Sequence, residues 1–194
     1  MPHLILASGS FGRKQLLEQA GYKIDDMRPQ DVDETSLKSE NPRDYVKRIA
    51  QAKFDKAVQK NTDNVIISAD TVTVTGRRIF QKPETEKEAC DMLAHFSGRR
   101  IKVLTYVCIG NFKECKTRLV SSSGKIKRLS DHEIRSWAET KDWVGVAGGI
   151  KLQSLSSVFI DSIQGSFSNI VGLPMTQTYN LLKYFGVLPE WQKK

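Results

Sequence analysis

Residues 65–75, with the sequence VIISADTVTVT, decide what kind of fold this chain can form. Eight of these eleven residues are Val, Ile or Thr, which pack well on a pleated, buried surface. The stretch therefore predicts a long strand. Residues 4–7, LILA, form a shorter apolar run that ends at a Ser-Gly-Ser loop, and they predict a second, buried strand.

Predicted helices alternate with these and further strands along the chain. The helices cover residues 13–20, 41 to about 60, 85–96, 130–139 and a last segment that begins at Leu173-Pro174. Further strands are predicted at 22–27, 78–80, 101–109, 117–123 and 157–163. Ser/Thr followed three residues later by Glu predicts a capping box at Thr85 and again at Ser130. The alternation, without repeats or low-complexity linkers, predicts the α/β class and one domain over residues 1–194.

Composition narrows the class of protein further. The chain has 194 residues, of which 39% are hydrophobic and 27% charged, as in soluble globular proteins. Three cysteines without a CxxC pair favour a reduced, cytoplasmic setting. The apolar run at residues 4–7 is too short for a signal peptide, and no run approaches the about 20 apolar residues of a membrane helix. We therefore expect no membrane partner.

The net charge of +8 raises the question of a polyanionic partner. Residues 61–130 hold 13 Lys and Arg against seven Asp and Glu, whereas the rest of the chain is nearly balanced. A nucleic-acid-binding domain is one interpretation of such a surplus. The sequence has no interleaved stripe of basic and aromatic residues, which disfavours that interpretation, and we expect no nucleic-acid partner.

The loop at residues 8–14, SGSFGRK, is the first candidate for chemistry. A strand enters a loop of small residues, and a helix follows whose first turn carries Arg13 and Lys14. Backbone N–H groups at a helix start favour anions, the hydroxyls of Ser8 and Ser10 add donors, and an arginine can bind a phosphate through two parallel bonds. The alternative is a surface turn capped by Ser10.

Two charged residues fall on predicted apolar surfaces. Asp70 lies inside the apolar strand, where a carboxylate is costly unless it is paired, bound to metal or used in proton transfer. Its alternative role is to cap a neighbouring turn. Lys53 lies on the apolar stripe of the 41–60 helix, between Ile49 and Ala57, so its ammonium must either reach water or meet a buried anion.

Two weaker signals complete the set. The acidic loop with Asp31, Asp33 and Glu34 offers oxygen ligands of the kind that Mg²⁺ prefers, although most acidic loops are merely solvated. Lys82 is fixed between Gln81 and Pro83 after a short strand. Several cations, a costly carboxylate and a Mg²⁺ ligand together fit a site for a polyphosphate.

In their order and spacing these segments resemble the Maf family of nucleotide pyrophosphatases. The resemblance runs through residues 4–21 (LILASGSFGRKQLLEQAG), 31–35 (DVDET), 48–57 (RIAQAKFDKA), 67–74 (ISADTVTV), 81–83 (QKP), 96–98 (FSG), 128–134 (RLSDHEI) and 165–174 (GSFSNIVGLP). It implies a twisted mixed sheet flanked by helices, with two lobes and a cleft between them, as in Maf and ITPase-like folds. It also implies hydrolysis of a nucleoside triphosphate to the monophosphate and pyrophosphate, a divalent cation (Mg²⁺ or Mn²⁺), a cytoplasmic location and a homodimer.

The resemblance also implies roles for individual residues. Ser8, Ser10, Arg13 and Lys14 would belong to the phosphate-binding loop. Glu34 would help to hold the metal, and Lys53 and Lys82 would contact phosphate oxygens. Asp70 would accept a proton from water and would also be a metal ligand. Thr71 and Gln153 match positions linked to base selection in the dTTP/UTP branch of the family.

Two departures from the family pattern bear on the substrate. Gly12 stands where the family usually has Arg or Trp, and Ile150 stands in a segment where the family has Tyr. These positions leave a broader or modified triphosphate range open. A second class of function also stays open at this point: a nucleotide-binding regulator of cell division without turnover. Release of pyrophosphate separates that regulator from a house-cleaning enzyme of the nucleotide pool.

Overall fold

The computed structural model describes residues 2–58 and 64–193. The helices are α1 (Phe11–Gln19), α2 (Pro42–Ala57), α3 (Glu86–Phe96), α4 (Asp131–Glu139), α5 (Phe167–Val171) and α6 (Met175–Tyr184). The strands are β1 (Leu4–Leu6), β2 (Asp26–Met27), β3 (Val65–Thr75), β4 (Arg78–Phe80), β5 (Arg100–Gly110), β6 (Cys115–Ile126) and β7 (Ile160–Gln164). Short 3₁₀ turns cover Ala147–Gly149, Leu155–Phe159 and Glu190–Gln192.

The strands of the described residues form one seven-stranded sheet in the order β2-β1-β3-β5-β6-β7, with β4 paired to β3. β1 runs parallel to both β2 and β3. β4 is antiparallel to β3, and β7 is antiparallel to β6. Parallel and antiparallel pairs therefore occur in the same open sheet, which confirms the predicted mixed α/β class.

The chain divides into two compact units. Unit 1 comprises Met1–Asp70, Thr105–Val120 and Gly172–Lys194, and unit 2 comprises Thr71–Leu104 and Ser121–Val171. The boundary between them falls inside β3, β5 and β6. Two units agree with the expectation of two lobes, whereas the cleft and the single domain over residues 1–194 stay predictions.

The helices α1 and α2 of unit 1 begin at capping residues that are recognisable in the sequence. α1 begins at Ser10, whose hydroxyl caps the Arg13 N–H, and α2 begins at Asn41 with Pro42 in its first turn. The predicted apolar stripe of α2 is buried. This helix ends at Ala57, earlier than predicted, because Val58 is already extended (φ −67°, ψ 127°); residue 60 lies outside the described residues.

Unit 2 has a core rich in aromatic side chains. Phe80 and Phe96 meet edge to face at 4.8 Å, and Trp137 meets Phe159 at 6.4 Å. The Ser130 capping box forms as predicted. The Thr85 box forms only in part: Thr85 Oγ1 accepts from the Glu88 N–H, but the Glu88 carboxylate accepts from the N–H of Glu84.

Strands β2 and β7 are shorter than predicted, and one helix was not predicted. β2 is confined to Asp26–Met27 rather than 22–27. β7 begins at Ile160 rather than at residue 157, because the preceding Leu155–Phe159 forms a 3₁₀ turn that buries Phe159. The short α5 was not predicted, since five residues are too few to show a helical period. No helix in the described part of the chain has the length and apolar character of a membrane span.

Part of the basic surplus has a structural use within unit 2. Lys125 Nζ donates to the Gly98 carbonyl at 2.6 Å, and Lys127 pairs with Glu133 at 2.6 Å. Arg100 donates to the Ser123 hydroxyl at 3.2 Å. These side chains join loops and strands of the unit, so net charge alone does not identify a polyanionic partner.

Candidate active site

The loop between β1 and α1 is organised by a buried arginine. Arg13 Nε donates to the Gly172 carbonyl and Nη1 donates to Ser8 Oγ, each at 2.9 Å. Gly172 has φ 120°, which glycine adopts readily. Ser8 Oγ also accepts from the Ser10 N–H at 3.2 Å. Because both lone pairs of this hydroxyl are engaged, its own proton is left to be donated, and a phosphate oxygen is a suitable acceptor.

Lys53, Asp70 and Glu34 form an ion cluster at the side of α2 that faces β3. Lys53 Nζ lies 2.8 Å from Asp70 Oδ1 and 2.7 Å from Glu34 Oε1. The side chains of Lys53 and Asp70 are 11% and 9% exposed, whereas that of Glu34 is 45% exposed. Of the two outcomes open for Lys53, the structure therefore has the buried anion, and Asp70 is paired rather than used as a turn cap.

The charges of unit 1 also act on one another electrostatically. Burial raises the pKa of Asp70 above its ordinary value, Lys53 and Arg13 oppose this rise, and Glu34 adds to it. Burial lowers the pKa of Arg13, and the carboxylates of Asp70 and Glu34 oppose that effect. Arg13 thus belongs to the same electrostatic environment as the ion cluster. A raised pKa gives Asp70 more basicity than an exposed carboxylate has.

The acidic loop is held in place by α2, through residues that the sequence analysis did not single out. The Tyr45 hydroxyl donates to the Glu34 carbonyl at 2.8 Å, and Arg48 donates to the Thr35 carbonyl at 2.9 Å. Lys56 Nζ donates to the Asp31 carbonyl at 2.5 Å. These three residues stand at i, i+3 and i+11 on one helix, and this spacing is the sequence signal from which a shared role could have been predicted.

Two further acidic side chains of this region, Asp33 and Glu40, have local partners. Asp33 Oδ1 accepts from the Thr35 N–H at 2.9 Å. Hydrogen bonds from the side chain and then the backbone of Thr35 hold the pKa of Asp33 below its ordinary value. Glu40 binds Arg48 through both carboxylate oxygens at 2.8 Å. Glu34 is thus the residue of the acidic loop that joins the ion cluster.

The donor set fits a hard divalent cation. Across residues 2–58 and 64–193, no group of three or more His, Cys, Asp or Glu side chains is arranged to hold a metal ion by itself. Mg²⁺, however, usually takes only one or two protein carboxylates and completes its shell with water and phosphate. The oxygens of Glu34 and Asp70 converge on one cation, the Lys53 ammonium, which shows that both can face a single positive centre.

Unit 2 contains three of the predicted site residues, Lys82, Thr71 and Gln153. Lys82 and Gln153 are exposed, and Thr71 is half-buried. Thr71 lies two residues before Thr73 on β3, so both face the same side of the strand. Thr73 Oγ1 donates to the Ala147 carbonyl at 3.2 Å, and the Gly148 N–H donates to the Gln81 carbonyl at 2.9 Å.

The Ala147–Gly149 turn fits closely against β3. A Cβ at Gly148 would lie 2.6 Å from Thr73 Oγ1, and this residue has φ 71°, so both space and backbone require glycine. The turn therefore fixes the residues next to Lys82 at one end and leads into the segment that carries Gln153. The predicted roles of Lys82, Thr71 and Gln153 stay predictions.

Lys14 forms an ion pair with a residue of its own helix, α1, and not with the ion cluster. Its Nζ is 3.7 Å from Glu18 one turn later on α1, and its side chain is 40% exposed. The carboxylate of Glu18 offsets the unfavourable position of a cation in the first turn. Its predicted contact with substrate stays a prediction.

Comparison with known proteins gives a consistent result. The dTTP/UTP pyrophosphatase of Ruegeria sp. (strain TM1040) is 44% identical over 182 residues, which are 94% of this chain and 94% of that protein. The dTTP/UTP pyrophosphatase of Nitrobacter hamburgensis is 42% identical over 92% of this chain and 90% of that protein. A protein of Ehrlichia canis (strain Jake) named nucleoside triphosphate pyrophosphatase is 41% identical, over 95% and 97%.

The family model of Maf-like proteins matches residues 3–185. This range contains every residue of the ion cluster, the β1–α1 loop and the predicted site of unit 2. It confirms the resemblance on which the sequence analysis relied. The chain belongs to the Maf-like protein family.

Proposed function

We propose that this chain hydrolyses nucleoside triphosphates, dTTP and UTP among them, to the nucleoside monophosphate and pyrophosphate. The observation that carries the proposal is the buried ion cluster, in which Lys53 Nζ contacts Asp70 at 2.8 Å and Glu34 at 2.7 Å. A carboxylate this deeply buried is costly and calls for a chemical use. The names of the Ruegeria and Nitrobacter relatives support the choice of dTTP and UTP.

Asp70 is the proton acceptor for the attacking water in this proposal. Lys53 bonds Oδ1 and orients the carboxylate, so we assign Oδ2 as the atom that takes the proton. The raised pKa of Asp70 favours this role, since a general base works best when its pKa lies closer to the operating pH. The water then attacks the α-phosphorus, and pyrophosphate is the leaving group.

The β1–α1 loop binds the phosphates. Arg13 brings a buried positive charge under the loop, Ser8 donates its hydroxyl proton, and the start of α1 adds backbone N–H groups. Lys53 and Lys82 add cationic contacts to phosphate oxygens. Preorganised donors of this kind stabilise the charge that develops in the transition state.

Glu34 and Asp70 are the residues that would hold a divalent cation, Mg²⁺ or Mn²⁺. When bound, such an ion supplies positive charge against the oxygens of the triphosphate. Thr71 and Gln153 select the base, with a broader range of triphosphates left open by Gly12 and Ile150. A cytoplasmic location and a homodimer complete the proposal.

The test is release of pyrophosphate from a panel of normal and modified triphosphates with Mg²⁺ or Mn²⁺. Asp70→Asn should lower kcat by about 10²–10⁴-fold, the usual contribution of a general base. Asp91→Asn, at an exposed position of α3, serves as the control and should leave kcat unchanged.

Two results would contradict the proposal. Near-normal turnover by Asp70→Asn would remove Asp70 from the role of proton acceptor. If the wild-type protein binds triphosphates in calorimetry but releases no pyrophosphate with either metal, the regulator without turnover is the correct interpretation.

A further inference from the structure

The segment of residues 151–156 in unit 2 is closed by a fully buried hydroxyl. Ser156 Oγ accepts from the Lys151 N–H at 2.9 Å and lies 3.0 Å from the Lys151 carbonyl. Ser156 has no exposed surface. A pair of contacts between one side chain and the backbone five residues earlier fixes both ends of the segment, and Gln153 lies exposed within it.

Asp142, which is not part of this segment, contacts it through both carboxylate oxygens. Its Oδ2 lies 2.7 Å from Ser154 Oγ, 3.3 Å from Ser156 N and 3.3 Å from Ser156 Oγ. Its Oδ1 lies 3.8 Å from Lys151 Nζ. Burial alone would raise the pKa of Asp142, but the donors from Ser154, Ser156 and Lys151 outweigh it and leave this pKa below its ordinary value.

The residues next to Asp142 are tied to unit 2 by hydrogen bonds and burial. Asp142 lies three residues after the end of α4, and its N–H donates to Thr140 Oγ1 at 3.3 Å. The next residue, Trp143, is buried and donates from Nε1 to the Ala138 carbonyl at 2.8 Å. Asp142 therefore connects the segment of Gln153 to the core of unit 2, to which its neighbour Trp143 belongs.

The chemistry of a glutamine explains why its position matters for base selection. Its amide carries one acceptor and two donors. The Watson–Crick edge of uracil or thymine offers an N–H flanked by carbonyls, and that of cytosine offers a ring nitrogen beside an amino group. An amide that rotates by 180° exchanges its donor and its acceptor and can match either edge. Discrimination between the two edges therefore requires that the glutamine be held in one orientation relative to the base.

We infer that Asp142 is a positioning residue that fixes the 151–156 segment and thereby makes Gln153 prefer uracil and thymine over cytosine. The inference rests on the proposed function, because it concerns the selectivity of that same reaction. Asp142 acts through Ser154 and Ser156 and has no assigned contact with substrate.

The experiment compares kcat/KM for UTP with kcat/KM for CTP in wild type and variants. Asp142→Ala should lower the UTP-to-CTP ratio by about tenfold, mostly through a higher KM for UTP, because a hydrogen-bonding partner then becomes misplaced. Asp142→Asn should keep the ratio close to that of wild type, because its amide oxygen can still accept from Ser154 and Ser156. Asp161→Ala, at an exposed position of β7, is the control.

The outcomes separate this inference from the proposed function. If wild type releases no pyrophosphate, the proposed function fails and the inference falls with it. If wild type turns over UTP but Asp142→Ala keeps the ratio, or wild type shows no preference for UTP, the inference alone is overturned. Where Asp142→Ala does not fold, by circular dichroism, Ser154→Ala removes the 2.7 Å contact and must lower the ratio instead.

Discussion

The side chains of Asp70 in unit 1 and Asp142 in unit 2 are 9% and 11% exposed, but Asp70 lies deeper: it is a buried residue, whereas Asp142 is half-buried. Their pKa values nevertheless move in opposite directions, upward for Asp70 and downward for Asp142. Burial penalises both carboxylates. The difference lies in the depth of burial and in the partners. Asp142 accepts from the donors of Ser154 and Ser156 with Lys151 nearby, whereas the deeper Asp70 depends on Lys53 and Arg13 and is opposed by Glu34.

This contrast separates a reactive carboxylate from a structural one. A carboxylate surrounded by fixed donors is a strong acceptor that keeps its charge and holds a loop in shape. A carboxylate that is desolvated and only partly compensated is more basic and is available to take a proton. The two regions thus supply different parts of one proposed enzyme, proton transfer in unit 1 and selectivity in unit 2.

The largest expected effect comes from removing the cation of the ion cluster. Lys53→Met leaves Asp70 buried beside Glu34 without the ammonium between them. We expect the free energy of unfolding to fall by about 3–5 kcal/mol, as when one partner of a buried pair is removed. We also expect kcat/KM to fall by about 10²-fold or more. Urea unfolding and release of pyrophosphate measure the two effects.

Lys82 provides the contrast in unit 2. It is exposed, so Lys82→Met should lower kcat/KM by about 10²-fold while the free energy of unfolding changes by less than about 0.5 kcal/mol. Lys47→Met, at an exposed position of α2, is the control for both. Wild-type kcat/KM in both the Lys53 and Lys82 variants would mean that the phosphates are bound elsewhere.

The central part of the site was predictable because its signals are local. Asp70 stands out as a charge in an apolar strand, and Lys53 stands out because it interrupts a helical stripe at i, i+4 spacing. In each case a charged residue stands at a position that the sequence pattern predicts to be buried, where burying the charge is energetically costly. Their pairing at 2.8 Å follows from that cost, since each is the partner that the other requires.

Asp142 could not be found in the same way. It lies in a polar stretch after α4, and its partners Ser154 and Ser156 are 12 and 14 residues later, in a segment without a regular period. Nothing local distinguishes it from a solvated aspartate. The Gly172 carbonyl that binds Arg13 is equally hidden, because a backbone acceptor 159 residues away has no side-chain signature.

A smaller effect concerns how the free energy of unfolding depends on pH. Asp142 has a folded pKa below its ordinary value, so wild type should be more stable than Asp142→Asn above the ordinary pKa and lose that advantage as pH falls through the folded pKa. Asp70 has a raised folded pKa, so wild type should gain stability relative to Asp70→Asn as pH falls through it.

We expect each difference to be on the order of 1 kcal/mol. Urea unfolding of wild type and both variants at pH 7 and at more acidic pH, with a chelator present, measures them. The direction in which each stability difference changes as pH falls tests the prediction. If both differences change in the same direction as pH falls, the two carboxylates do not lie in the contrasting environments that the structure gives them.

The smallest expected effect concerns Lys14, whose side chain is 40% exposed, set against Arg13, its buried neighbour. Lys14 pairs with Glu18 at 3.7 Å with both side chains about half in water, so Lys14→Gln should change the free energy of unfolding by less than about 0.5 kcal/mol. If Lys14 attracts the triphosphate through solvent, KM should rise by about threefold in 0.1 M salt and return to the wild-type value in 1 M salt, where the Debye length falls from about 10 Å to about 3 Å.

Arg13→Lys provides the comparison. It keeps the charge but loses the planar fork that donates to Ser8 and Gly172 together, so its effect on KM should persist in 1 M salt. The steady-state KM for UTP at the two salt concentrations measures both variants. A rise in KM for Lys14→Gln that is equally large at both salt concentrations would show a direct contact with substrate and would place Lys14 in the same functional group as Arg13.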